Sequence, residues 1–361
     1  MSTMVSNVNA LPARTWVRLG VNDTEFPAWE GRPAPYRGNV SAAELPAGVS
    51  VLEGPLPGAE PQTGMGRETA DWVHANRNCG VRLRSAAGTH AEAPVLLRYR
   101  VDEDNPAVVD DNTVVAEENS EITVVMNYSG EAGFHGGLTR LYAQKGAVIH
   151  LVQVQLLGDG CTHFDDVGAF AEDGARIDVV QAELGAAAAF AGCRTRLAGY
   201  KSRLTMDSIY FGDRKRSLDF NYAADHTGKK TRSDIRMAGA LLDESQKTFR
   251  GTINFLRGAK QAVGHESESN LLFSPKVRSR TAPLILCEEE DVDGQHAAST
   301  GKVGEDLLFY LMTRGLSETD AKKLLIEARF RPVTDKIPDA GIRNAVMDYV
   351  KGRLSGLESM G

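Results

Sequence analysis

Short apolar or alternating runs recur from about residue 81 to residue 286, and each run closes on glycine, aspartate or asparagine. The alternation is clearest at Val152, Val154 and Leu156, which have Gln153 and Gln155 between them. Side chains two positions apart lie on the same face of a strand, so this pattern predicts β-strands. We expect strands at 95–101, 122–128, 138–143, 148–157, 176–184, 204–211, 217–222, 231–237 and 248–256.

No helix-period segment interrupts these runs for about 200 residues, which disfavours a parallel sheet built from strand–helix–strand units. A sandwich, a barrel and a solenoid remain. Many short strands at near-regular spacing favour a stacked solenoid, a β-helix. The 36 glycines suit its corners. Because the sequence shows no strict repeat, the pattern alone favours the β-helix only modestly over the sandwich.

The two ends of the chain differ from this β-rich middle. Residues 1–66 are rich in proline, glycine and alanine, as in turns and extended loops, and a short helix is expected at 69–75. We therefore divide the chain into an N-terminal loop and helical segment (1–80), a β-helix core (81–299) and a C-terminal helical module (300–361).

Three helices are expected in the C-terminal module. An apolar stripe from Leu307 to Met312 ends near Gly315, a residue that commonly follows a helix. Ser317 begins a capping-box-like sequence for a second helix, which we expect to stop at Arg331-Pro332. The third helix is expected at 339–354.

Composition narrows the function. A net charge of −7 argues against nucleic-acid binding, which normally needs a basic face. Four scattered cysteines suggest a reducing compartment, and neither a signal peptide nor a membrane-length apolar run is visible, so we expect a cytoplasmic protein. Familiar nucleotide-binding, hydrolase and zinc-protease motifs are missing, which argues against an enzyme.

Two polar clusters have metal-binding residue types. In a strand, Cys161, His163 and Asp165 would share one face, although a strand edge with a satisfied histidine is the interpretation we favour. The second cluster runs from Cys287 to His296, and composition favours a solvated acidic loop. The histidines expected to be purely structural are His135, His226 and His265.

Several distinctive motifs follow one another in the second half of the chain. Residues 290–301 read EDVDGQHAASTG and residues 304–316 read GEDLLFYLMTRGL, followed by TDAKKLL at 319–325. Upstream lie HTG at 226–228, TRS at 231–233, FRG at 249–251 and NLLFS at 270–274. In this order the motifs resemble those of the SufB/SufD family of iron–sulfur cluster assembly scaffolds. The resemblance in motifs covers about 208–337. The earlier strands resemble the family only in their general pattern of short strands.

The resemblance implies a right-handed parallel β-helix with flanking helical segments. It implies a SufC-type ABC ATPase as partner, contacted through the C-terminal helices, and pairing with a SufB-like or identical subunit around a transient iron–sulfur cluster, with no tightly bound cofactor. The candidate ATPase contacts are Leu308, Tyr310, Leu311, Arg314, Leu324 and Leu325.

The details favour the SufD-like branch. Val277 stands where the SufB phrase has a cysteine, whereas His296 matches the histidine of the SufD phrase. His296 is therefore the candidate iron ligand, because histidine can replace cysteine at such centres. Glu290 and Asp291 are candidate acceptors that would orient its imidazole. Gly294 and Ala297 depart from the SufD phrase.

Two alternatives stay open. One is a β-helix enzyme acting on carbohydrate through Asp165 and Asp166, although adjacent strand residues point to opposite faces. The other is a structural homodimer that recruits SufC without binding iron. The sequence does not say whether any cysteine, namely Cys79, Cys161, Cys193 or Cys287, handles sulfur.

Overall fold

The expected solenoid is confirmed: the computed structural model is mainly β and contains a parallel β-solenoid of about eight turns. It describes residues 4–15, 17–38, 45–302 and 305–358. The strands are β1 (Met4–Val8), β2 (Thr24–Pro27), β3 (Val49–Val51), β4 (Arg82–Ser85), β5 (Val95–Val101), β6 (Ala107–Ala116), β7 (Glu121–Ala143), β8 (Val148–Ala171), β9 (Arg176–Glu183), β10 (Ala188–Leu197), β11 (Arg203–Gly212), β12 (Ser217–His226), β13 (Arg232–Leu241), β14 (Gln246–Phe255), β15 (Ala262–Leu272), β16 (Arg278–Cys287) and β17 (Val292–Lys302).

Two facing parallel sheets form the solenoid, and the long strands β7 and β8 each contribute to both. The first sheet runs from β5 through the first halves of β7 and β8 to β9, β11, β13, β15 and β17. The second runs from β4 through β6 and the second halves of β7 and β8 to β10, β12, β14 and β16. Ala188 pairs with Ser217 and Ser217 with Gln246, so these turns repeat every 29 residues.

The space between the sheets holds the main core. Its apolar part includes Leu97, Ile149 and Phe220, all at most 1% exposed. Parallel in-register pairing places like positions of successive turns above one another, so Tyr99 stacks on Tyr128 with ring centroids 5.4 Å apart. The alternation of the sequence is therefore the alternation between this interior and the outer faces.

The N-terminal segment covers the outer face of the second sheet. The hairpin of β1 and β2 packs there with helix α1 (Arg67–Asn76), which confirms the short helix expected at 69–75. Phe26 contacts Phe164 and Phe190, with ring centroids 4.8 and 5.6 Å apart. A 3-10 turn, Val17–Leu19, lies between the two strands of the hairpin.

The C-terminal helices are α2 (Glu305–Thr313), α3 (Glu318–Thr334) and α4 (Ala340–Glu358). Helices α3 and α4 cover the outer face of the first sheet, where Phe330 and Val346 pack in one cluster with Val152 and Val180. Ser317 caps α3, accepting a hydrogen bond from the Asp320 amide at 3.0 Å. No helix among the described residues is long and apolar enough to cross a membrane.

Two local expectations were wrong. Helix α3 continues through Pro332 to Thr334. A proline near the end of a helix removes just one internal hydrogen bond, and the burial of Val333 in the core offsets that loss. The acidic loop expected at 287–296 is shorter than that, spanning 288–291, because Cys287 ends β16 and β17 begins at Val292 and pairs in parallel with β15.

Candidate functional site

The solenoid ends in an open turn. Strands β16 and β17 are the last of their sheets, and within the described residues each pairs on one side only, with β14 and β15 respectively. The other edge of each strand presents a row of backbone N–H and C=O groups, which is a template for pairing with another chain.

His296 lies on this last turn. It is the register partner of Glu266 on β15, so the two side chains are neighbours on one face of the sheet, about 4.8 Å apart along the ladder. Glu266 is only 3% exposed, whereas His296 is exposed because β17 is the end of its sheet. The imidazole is thus accessible at the open end of the solenoid. It lies above Glu266, which faces the interior from β15.

Glu266 belongs to a buried polar group that the sequence pattern did not single out. Glu268 forms an ion pair with Lys247, which also donates to the Thr281 hydroxyl at 2.9 Å. Glu266 itself keeps one oxygen, Oε2, without a hydrogen bond, and burial together with Glu268 raises its pKa to about 7. The signal that could have revealed this row is the unbroken polar run from His265 to Asn270 within a strand-length segment, since alternate residues of a strand must face the interior.

The structure does not bring Glu290 and Asp291 next to His296. Both are exposed at the corner before β17, and the extended strand from Val292 to His296 separates them by more than about 13 Å. Glu290 instead lines a surface cavity of about 490 Å³ together with Cys287.

The cysteines differ sharply in accessibility. Burial raises the pKa of Cys161 to about 11 and that of Cys193 to about 12, and it also raises the pKa of Cys79. Such thiols stay protonated at neutral pH and are poor nucleophiles. Cys287 is the exposed member of the four and lies at the end of β16, beside the open turn.

An apolar surface lies on the outside of the C-terminal helices. We call it the α2 surface; its exposed members are Leu307, Phe309, Tyr310, Met312 and Leu324. Among the predicted ATPase contacts, Tyr310, Arg314 and Leu324 are exposed, and the Arg314 guanidinium stands 5.2 Å from the centre of the Tyr310 ring. Leu308, Leu311 and Leu325 are half-buried.

The first polar cluster of the sequence is not a strand edge, which corrects the interpretation favoured above. His163 and Asp165 lie within β8, which is paired on both sides, and both are fully buried. Asp166 faces the opposite way and accepts a hydrogen bond from the Met65 amide at 2.8 Å. His135 is not isolated, since its Nδ1 lies 2.8 Å from Nδ1 of His163.

The other two histidines behave as expected for structural residues. His226 is buried, and its two ring nitrogens contact the hydroxyls of Thr231 and Ser233 at 2.7 and 2.9 Å. Burial lowers the pKa of His226 to about 4, so the ring is neutral at physiological pH. His265 lies 3.3 Å from Asp234 on the outer side of its sheet.

The fold and the open end define a parallel β-solenoid with helical appendages and a terminal turn able to pair with another chain. The chain belongs to the SUF system FeS cluster assembly family, because the family model for the SufBD core domain matches residues 99–329. This match spans most of the solenoid and extends into α3.

Individual relatives are more distant. The chain is 24% identical over 292 residues to the iron–sulfur cluster assembly protein SufD of Bacillus subtilis, covering 77% of this chain and 64% of the relative. It is 27% identical over 263 residues to the chloroplastic SufBD family protein ABCI8 of Arabidopsis thaliana, covering 70% and 47%. SufB of Bacillus subtilis is 21% identical over 255 residues, covering 70% and 55%. The chain thus spans about half to two thirds of the length of these relatives.

Proposed function

We propose that this chain is a SufD-like scaffold subunit, without catalytic activity of its own, of a cytoplasmic complex that assembles iron–sulfur clusters. It pairs with a SufB-like or identical β-solenoid subunit and binds a SufC-type ABC ATPase. The single observation that carries the proposal is the open turn of β16 and β17, which presents His296 beside strand edges that have no partner in the described part of the chain.

Pairing through this turn has a clear physical basis. The unpaired backbone groups of two such edges satisfy each other when two solenoids meet end to end, and one continuous sheet results. A subunit interface would then cover His296 and the row that includes Glu266 and Glu268. The family match and the similarity to both SufD and SufB support a partner with the same fold.

A cluster bound there would be passed on to another protein. Weak binding by this chain would favour its release. One imidazole from this chain supplies a borderline nitrogen ligand for iron, and the partner supplies the remaining ligands. The exposed thiol of Cys287 lies on the same turn, so it is the cysteine of this chain best placed to contribute. Val277, which precedes β16, offers no ligand atom.

The α2 surface is the proposed ATPase contact. Leu307, Phe309, Tyr310 and Met312 lie on α2 and Leu324 lies on α3, which α2 contacts, and Phe309 is 67% exposed. An exposed cluster of aromatic and aliphatic side chains with an arginine at its margin is typical of protein–protein interfaces.

The carbohydrate-enzyme alternative finds no support in the geometry. Asp165 and Asp166 are both fully buried and point to opposite faces of β8, so neither meets a polysaccharide. The iron-free homodimer alternative differs from our proposal in a single respect, namely whether His296 holds iron.

Co-expression with a SufC-type ATPase and a SufB-like subunit tests the assembly, and we expect one complex to co-purify. Anaerobic reconstitution with iron and sulfide then compares wild type with His296→Ala, using absorption and Mössbauer spectra. We expect the variant to assemble normally and to lose most of the cluster. Equal cluster content in both would exclude His296 as a ligand, and the absence of a complex would contradict the scaffold role.

A further inference from the structure

The interior of the solenoid holds a second set of potential metal ligands, remote from the open turn. His163 and Asp165 lie on the second half of β8, and Glu183 lies on β9 in the facing sheet. One donor atom from each residue lies within 4.8 Å of the others, and all three side chains are 0% exposed. Ligands of a bound transition metal are about 3.5 Å apart, so small side-chain rotations bring these donors into range.

Several of these ligand atoms have no hydrogen bond within the described part of the chain. His163 Nε2 and both carboxylate oxygens of Glu183 have no hydrogen-bond partner among the described residues, although Nε2 and Oε2 lie 3.3 Å apart. Buried polar atoms almost always find a partner, because leaving one unpaired costs about 1–3 kcal/mol. Two unpaired groups aimed at the same point indicate that something else belongs between them.

A chain of hydrogen bonds leads from Asn112 through Asp110 and His135 to His163, and it bears on which nitrogen of His163 carries the proton. The Asn112 side-chain oxygen accepts from the Val81 amide at 3.0 Å and from the Tyr99 hydroxyl at 2.7 Å, which fixes the amide orientation. Its NH₂ group therefore faces Asp110 and donates to Oδ1 of that carboxylate. The other oxygen of Asp110 lies 2.7 Å from His135 Nε2.

This chain of contacts is compatible with the tautomer that a metal ligand needs. If His135 donates from Nε2 to Asp110, its Nδ1 accepts from Nδ1–H of His163 at 2.8 Å, and Nε2 of His163 keeps a free lone pair. A carboxylate and a hydrogen-bonded histidine behind the ligand are the usual means of orienting an imidazole that binds metal.

The local charge and the space around these residues also favour a bound cation. No described lysine or arginine forms an ion pair with Asp110, Asp165 or Glu183. Burying an ionised carboxylate without a positive partner is costly, and a bound cation would supply that partner. Gly137 leaves room, because a Cβ there would lie 2.7 Å from Asp165 Oδ1.

We propose that His163, Asp165 and Glu183 bind a structural Zn²⁺ or Fe²⁺ ion that links the two sheets inside the solenoid, with His135 and Asp110 orienting His163. One imidazole and two carboxylates suit these borderline cations, whereas Mg²⁺ and Ca²⁺ prefer oxygen ligands alone. Because the site is fully buried, the ion enters as the chain folds.

Metal analysis of the purified full chain, produced without a metal-affinity tag in zinc- and iron-supplemented medium, tests the proposal. We expect about one equivalent of zinc or iron per chain that resists dialysis against EDTA. X-ray absorption should show nitrogen and oxygen neighbours without sulfur, which separates this ion from a cluster. Glu183→Gln and Asp165→Asn should each lose at least about nine tenths of the metal.

Asp166→Asn is the matched control, since the same change is made on the adjacent, equally buried residue that faces outward; it should keep its metal. His296→Ala should also keep it, so this site and the proposed cluster site succeed or fail separately. If the Glu183 variant does not fold, refolding of wild type decides: Zn²⁺ or Fe²⁺ should raise Tm relative to EDTA, whereas Mg²⁺ should not. A folded wild-type chain without metal, and without a Tm shift on refolding with these ions, would overturn the proposal.

Discussion

Glu266 is the register partner of His296 and is buried one turn inside the open end of the solenoid. The carboxyl group of Glu266 is shielded from water, whereas the imidazole of His296 is exposed to it. This position also makes Glu266 a sensitive probe of the last turn, because its pKa is raised to about 7 by burial and by Glu268.

The raised pKa of Glu266 predicts a pH dependence of stability. The folded state holds this proton more tightly than the unfolded state, in which the pKa is near 4.5. The free energy of unfolding therefore falls as pH rises from about 4.5 to about 7, by up to roughly 3 kcal/mol from this group. Glu266→Gln should flatten that part of the profile in urea titrations, and an unchanged slope would contradict the prediction.

The buried pair of Lys247 and Glu268 should be costly to break. Lys247→Met leaves Glu268 with an uncompensated buried charge, and we expect a loss of about 3–5 kcal/mol in urea unfolding. The double variant Lys247→Met/Glu268→Gln removes the charge and should recover a substantial part of that loss. If the two variants are equally unstable, lost packing rather than the unpaired charge is responsible.

Phenylalanine to alanine changes in two neighbouring helices should differ greatly in their effect on stability. Phe330 of α3 is fully buried against the first sheet, so Phe330→Ala should cost about 3–5 kcal/mol. Phe309 of α2 is 67% exposed, and Phe309→Ala should change the free energy of unfolding by no more than about 0.5 kcal/mol. Chemical denaturation of both variants checks the pair, and a large effect at Phe309 would place α2 in the core.

The α2 surface should matter for ATPase binding. Tyr310→Ala and Leu324→Ala remove exposed side chains, so we expect unchanged thermal unfolding and at least about tenfold weaker binding of the SufC-type partner in calorimetry. Val17→Ala is the control, because Val17 is 83% exposed but lies in the N-terminal segment, on the other side of the solenoid. Equal affinities for all three variants would remove the α2 surface from the contact.

Individual strands show how much of the secondary structure the local sequence pattern predicts. Alternation places β5 at 95–101 without error, because each of its residues faces either the core or the outside. Strand β10, Ala188–Leu197, shows no such alternation, since alanine and glycine fill four of its first five positions and both of its faces are largely buried. Strand β17 lacks the pattern as well, because polar residues fill a strand whose end position leaves it exposed.

The sequence by itself determined the class of fold, the C-terminal helices, and His296 as the residue to examine, because these depend on periodicity and on motifs within short segments. Only the tertiary structure decided that His163 meets His135 and Glu183, and that His296 is beside Glu266 rather than Glu290. His163 meets His135, and His296 meets Glu266, because stacked turns bring positions about 28–30 residues apart into register, whereas Glu183 reaches His163 from the facing sheet. Without a strict repeat, no local pattern records that register, since it is set by the core side chains of all turns together.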